Sequence, residues 1–244
     1  MPTGQREAEM DWALAIRRNR EALLRIVAAL FLLVGLPDDE PAGNSHTLPR
    51  HLHAYARRIL RAAEAAIRRL VVIAAREIEV QPRPGGDGLR PDFAALRNAG
   101  LNAPAALCIP AFPLLDPLKR FHYKQPRRYS KSFPRICVVG YTEPTPIPEK
   151  PVISPEDPVD ASGLCRRLLS SRRALANLPR EARRLARWNA RTRLRLGQGR
   201  RGRVSALRIG RPPGRRKRST HLVDDILKEC HALALDALDP PNTS

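Results

Sequence analysis

Large core-filling side chains are scarce in this chain: aromatic residues make up 5% of its 244 positions, and Pro (24) outnumbers Gly (14). With little aromatic surface to bury and many chain-breakers, one large domain is not the expectation, and the length suits one or two smaller units. Long apolar runs are missing as well. A membrane-spanning helix needs ~18 or more apolar residues in succession, and the longest clean run, Ile26 to Leu36, is shorter. Cys108, Cys137, Cys165 and Cys230 lie far apart without a C-x-x-C pair. That spacing indicates no disulfide framework, and a reducing, cytoplasmic compartment is expected. Arg17, Arg18, Arg20 and Arg25 precede the apolar run as in a signal peptide. The run begins late, however, and meets Asp38–Asp39–Glu40 with no small-x-small cleavage site, so we read a helix that stays on the protein.

What the chain has in excess is arginine. Lys and Arg total 44 against 24 Asp and Glu, a net charge of +20, and only six of the cations are Lys. The excess is localised. Residues 1–118 carry a net +2, 119–135 carry +7, 136–162 carry −4, 163–218 carry +19 and 219–244 carry −4. A coding bias toward Arg would explain Arg in place of Lys but not this uneven placement. A strongly basic block points to a polyanion, either nucleic acid or an anionic membrane surface.

The pattern predicts a mostly α fold. Residues 7–36 read as a helix with a seam of Trp12, Ile16, Asn19, Leu23, Ile26, Leu30 and Leu33 in steps of four and three. Its second half is apolar on every side and needs cover all round. A second helix is expected over Leu48–Val80, capped by Thr47, with Leu52, Ala56, Ile59, Ala63, Ala66, Leu70 and Ile73 on one face. Arg57, Arg58, Arg61, Glu64, Arg68, Arg69 and Arg76 fill much of the other. The short connection makes residues 1–80 an antiparallel helical hairpin, which is too small to bury both seams alone. Self-association through residues 7–80 is therefore expected, or a partner or membrane surface.

Residues 81–92 read as a Pro/Gly linker, 93–140 as an irregular basic-aromatic segment and 141–163 as an acidic Pro-rich spacer. Two basic helices follow, Leu164–Asn177 and Pro179–Leu196, then a Gly/Pro/Arg-rich tail to residue 218 expected to be disordered when free. The chain closes with a helix over Thr220–Leu238 inside an acidic segment, 219–244, capped by Thr220, with Leu222, Ile226, Cys230, Leu233 and Ala237 as its stripe. That segment is also a candidate for folding back onto the basic arm.

Candidate phosphate contacts come from this arm. On the helices they are Arg166, Arg167, Arg172, Arg173, Arg183, Arg184, Arg187 and Arg191; in the tail they are Arg200, Arg201, Arg203, Arg208, Arg211, Arg215, Arg216, Lys217 and Arg218. Cations at helical spacing without carboxylates repel one another unless an anion is present. Such helices can lie on duplex DNA, structured RNA or anionic lipid. The block Lys119–Arg135 interleaves Phe121, His122, Tyr123, Tyr129 and Phe133 with cations, a composition that suits stacking on unpaired bases or packing a small core.

Within the tail, RIGRPPGRRKR (Arg208–Arg218) resembles an AT-hook through Gly210, Arg211 and Pro212, with Ile209 and Pro213 where basic residues are usual. The resemblance implies insertion of Arg211 into a narrow A·T minor groove. Phosphate contact by the same residues is the plainer alternative. The whole chain also resembles short Arg-rich bacterial proteins of uncharacterised role, a likeness that implies no activity.

No catalytic, cofactor or metal site is indicated. Gly197–Gly202 spells G-x-G-x-x-G but follows a basic helix rather than a strand. His51, His53, His221, Cys230 and His231 have no zinc-site spacing, and no nucleophile motif is present. The expectation is a non-enzymatic, cytoplasmic nucleic-acid-binding accessory protein, nucleoid association included, that binds DNA or RNA. The alternative is a peripheral membrane or scaffold protein using the apolar N-terminal helix.

Overall fold

The computed structural model describes residues 11–36, 46–81, 110–118 and 154–238. The basic-aromatic block Lys119–Arg135, nearly all of the 81–92 linker and most of the 141–163 spacer lie outside the described residues. Among the described residues the protein is mostly α, with five helices and one two-stranded sheet.

Helix α1, Trp12–Val34, starts where the Asp11 carboxylate accepts from the Leu14 N–H at 2.9 Å. It ends at Gly35, whose φ of 69° turns its N–H onto Leu32 O and the next N–H, from Leu36, onto Phe31 O. Strand β1, Thr47–Pro49, pairs antiparallel with β2, Pro158–Asp160, matching Leu48 to Val159. Helix α2 then runs Arg50–Ala74. Thr47 is in the strand rather than at the expected cap. The first amides of α2 are instead satisfied by the β2 approach, Arg50 N–H donating to Asp157 O at 2.9 Å and His51 N–H to Pro155 O at 3.0 Å. The C-terminal part of the predicted spacer is thus docked on α2. The helix also ends at Ala74, short of the expected Val80, in a turn through Ala75–Glu77.

Helix α3, Ser162–Ala176, has Ala161 at its N-cap position, and the carboxylate of Asp160 just before it accepts from the first helical N–H, that of Ser162, at 2.9 Å. Helix α4, Leu178–Gly197, has Pro179 in its first turn, where a missing N–H costs nothing. Helix α5, Leu222–Asp236, is capped by the His221 ring, not by Thr220; Nδ1 accepts from Val223 N–H at 3.1 Å.

α2 is the axis of the bundle, packed against α1, α3, α4 and α5. Every residue from Ala62 to Ile73 is buried, three of them charged. Ala62, Ala63, Ala65 and Ala66 make this possible, because small side chains let neighbours approach on all sides. Arg76 lies over the Trp12 ring at 4.2 Å, so α1 and α2 run antiparallel. The cover that the two seams need comes from α3, α4 and α5 of the same chain. α1 is not wrapped completely: Ala28, Ala29 and Leu32 face outward, Leu32 with 84% exposure. α5 packs on α1 and α2, and its Glu229 pairs with Arg18 and accepts from Asn19. No helix of the described residues is long and apolar enough to cross a membrane.

Candidate polyanion-binding cleft

Residues 198–221 form no helix, yet their middle is not the free chain that composition predicts. Ala206, Leu207, Pro212 and Pro213 are buried. The segment orders by docking: it has too little apolar surface to fold alone, but the bundle supplies the missing partners. Asp116, on the described strap 110–118, is the main one. Its N–H donates to Ala206 O at 2.9 Å, its carbonyl accepts from Arg203, and its carboxylate accepts from the Arg208 N–H at 3.4 Å.

That carboxylate is fully buried between two α2 arginines. Arg69 Nη2 is 2.9 Å and Arg68 Nη1 3.3 Å from its two oxygens. Arg69 also donates to Ala65 O at 2.6 Å and to His231 Nδ1 at 3.3 Å. Arg68 donates to Pro113 O at 3.0 Å and meets Glu64 at 3.5 Å, and Glu64 takes Arg167 through two bonds of 2.8 and 3.0 Å. Burial lowers the pKa of Arg68 against the opposing pull of both carboxylates, and it lowers those of Arg203 and Arg208 too. No buried side-chain polar atom among the described residues lacks a partner.

This network sets the course of the tail, which crosses the N-terminal half of α2. Gly214, at φ +85°, sits against the backbone of Arg61 and Ala62. Between them lies a cleft of about 760 Å³ lined by Arg50, His53, Ala54, Arg57, Arg58 and Arg61 from α2, Val159 from β2, and Arg208, Arg211, Pro212, Gly214, Arg215 and Arg216 from the tail. Eight arginines and no carboxylate line it. Arg50 reaches Asp157 at 3.7 Å outside the cleft, and Arg58 stacks over the Tyr55 ring at 5.2 Å. A larger cleft, about 1160 Å³, lies between the ends of α2, α4 and α5, but it mixes Arg76 and Arg193 with Glu77 and Glu79 among apolar residues, and no charge of one sign converges there.

The expected phosphate contacts divide into three groups, with Arg172 apart from them. Arg208, Arg211, Pro212, Arg215 and Arg216 come together in the cleft. Arg166, Arg173, Arg183, Arg187, Arg191, Arg200, Arg201, Lys217 and Arg218 are exposed, as is Gly210, outside its lining. Arg167, Arg184 and Arg203 are turned inward onto Glu64, onto Glu181 and Phe112 O, and onto Asp116 O respectively. Arg172 lies over the Phe31 ring at 4.5 Å. Sequence reasoning missed the α2 wall of the cleft. The signal was present: residues 41–63 hold Arg50, Arg57, Arg58 and Arg61 with no carboxylate, but averaging over 1–118 hid it.

Cys165 and Cys230 are buried free thiols, and burial pushes Cys230 up to about 12, the inert end of thiol chemistry. Among the described residues no cluster of His, Cys, Asp and Glu could hold a metal ion. No protein-family model matches this chain, and no curated protein or solved structure shows significant similarity to it.

Proposed function

We propose that this is a non-enzymatic, cytoplasmic nucleic-acid-binding accessory protein that holds phosphates in the cleft between α2 and residues 208–216. The observation that carries this reading is the lining itself, eight arginines without a carboxylate. Like charges gathered on one surface repel, and the tail wall is held against that repulsion by other contacts: Pro212 and Pro213 are buried, Gly214 abuts α2, the Arg208 amide is held by Asp116, and the Arg208 guanidinium donates to the Arg211 carbonyl at 2.7 Å. A phosphate chain offsets that repulsion and releases its own counterions on binding. The outward arginines of α3 and α4 extend the footprint. Self-association, expected of residues 7–80, would use the outward strip of Ala28, Ala29 and Leu32 on α1.

The test is fluorescence anisotropy of the full chain on labelled duplex and single-stranded DNA across a salt series. Each neutralised phosphate contributes about −0.9 to the log–log slope on duplex and about −0.7 on a single strand. Arg57→Ala and Arg61→Ala should each flatten the slope by roughly one such step, whereas the inward Arg167→Ala should leave it unchanged. Binding lost well below ~0.15 M salt, or slopes indifferent to Arg57 and Arg61, would sink the proposal. Flotation with anionic liposomes that survives both substitutions would favour the peripheral-membrane alternative.

A further inference from the structure

The shape of the cleft and one aromatic residue beside it narrow the partner further. We infer that the cleft takes single-stranded nucleic acid, with an unpaired base stacked on Tyr55 while the phosphates follow the arginines between α2 and the tail. This rests on the phosphate-binding reading above.

Three observations support it. First, the arginines line a concavity. A duplex keeps its base faces inside the stack, where a ring at the edge of a cleft cannot reach them, and proteins read it with elements that project into a groove. A cleft of about 760 Å³ falls in the range of ~300–1,000 Å³ that admits small ligands, the scale of a short stretch of sugar and phosphate.

Second, Tyr55 stands on α2 one turn before Arg58, with 43% exposure. The Arg58 guanidinium, itself part of the cleft wall, lies 5.2 Å from its ring centroid. An exposed aromatic ring steadied by a cation at the edge of a basic groove is the arrangement that single-strand binders use, because every base has a face that can stack.

Third, the hook-like segment is committed to the protein. Minor-groove insertion requires an extended ribbon whose core can reach the groove floor. Here Pro212 and Pro213 are buried and Gly214 touches Ala62, so Gly210-Arg211-Pro212 leads into a cleft wall. Recognition then comes from the charge of both walls and from stacking on Tyr55 of α2, which carry no A·T preference.

The experiment compares a labelled oligothymidylate with mixed-sequence, A·T-rich and G·C-rich duplexes of equal length, at ~0.15 M salt, on the full chain. The expected result is single-strand binding ~10-fold or more tighter than binding to any duplex, and duplexes that do not differ among themselves. Tyr55→Leu should weaken the single strand by ~5- to 150-fold, the worth of one stacked base, while Tyr55→Phe retains the affinity. Inorganic polyphosphate, which has charge but no bases, should displace the strand from Tyr55→Leu at lower concentration than from the wild type. Circular dichroism of both variants checks that the helices are intact. Equal or tighter duplex binding, an A·T preference, or a single-strand affinity indifferent to Tyr55→Leu overturns this inference and leaves phosphate binding standing. Failure to bind any of these nucleic acids removes both.

Discussion

Gly214 and Ala62 are packed backbone to backbone: a Cβ at Gly214 would stand 2.9 Å from both the Cα and the amide nitrogen of Ala62. Neither atom can give way, because Ala62 lies in the middle of the central helix. The glycine also has φ +85°, which an L side chain rarely adopts. Gly214→Ala should therefore lift the tail from α2 and spread the two walls of the cleft. The expected cost is about 1–3 kcal/mol, read as a shift in the urea midpoint, together with weaker nucleic-acid binding and a flatter salt slope. Gly199→Ala is the control. It shares a positive φ of 70° but has open space around it, so it should cost stability without changing the slope.

Asp116 is the tie that holds the strap, the tail and α2 together. Its fully buried carboxylate faces Arg68 and Arg69, and its backbone bonds residues 203–206. Removing one partner of a buried ion pair is costly because the other charge remains buried and uncompensated. Asp116→Ala should destabilise the protein by about 3–5 kcal/mol in urea denaturation. Asp116→Asn, which keeps an oxygen for one arginine and for the Arg208 amide, should cost less. An effect below ~1 kcal/mol for the alanine variant would mean that the network is not maintained in solution.

These two contacts mark the limit of what the sequence discloses. The sequence pattern located the five helices of the described residues, since a seam such as Leu23, Ile26, Leu30 or Ile226, Cys230, Leu233 is local. It misread the other face of α2. Glu64, Arg68 and Arg69 look like a solvated stripe, and it is the arrival of Asp116, 47 positions after Arg69, and of Arg167, 103 positions after Glu64, that gives their buried charges partners. A carboxylate flanked by Leu115 and Pro117 gives no local sign of that role. The cleft was half legible for the same reason. Its tail wall stands out as a run of arginines and its α2 wall as four arginines in a stretch without carboxylates, but the chain crossing that brings the two walls together is not encoded in charge counts. The cap of α5 went to His221 rather than Thr220 because the ring nitrogen reaches the Val223 amide. The Thr220 N–H instead donates to Asp224 at 3.1 Å.

His231 gives the protein a pH dependence. Its Nδ1 accepts from Arg69 Nε at 3.3 Å, which requires the neutral ring with the proton on Nε2. Burial lowers its pKa below the ordinary 6.5, and the nearby Arg69 and Arg215 lower it further against the opposing effect of Asp116. The unfolded chain therefore binds this proton at a higher pH than the folded chain does. The stabilisation that depends on a neutral His231 is complete above the unfolded pKa of 6.5 and declines as the pH falls from there toward the folded value. Urea midpoints should drop between pH ~7.5 and ~5.5. His231→Gln, which keeps a side-chain acceptor but does not titrate, should be less sensitive over the same interval. The ring's own titration, followed by NMR, should have its midpoint below 6.5; a midpoint above it would mean that the Arg69–His231 bond does not persist in solution.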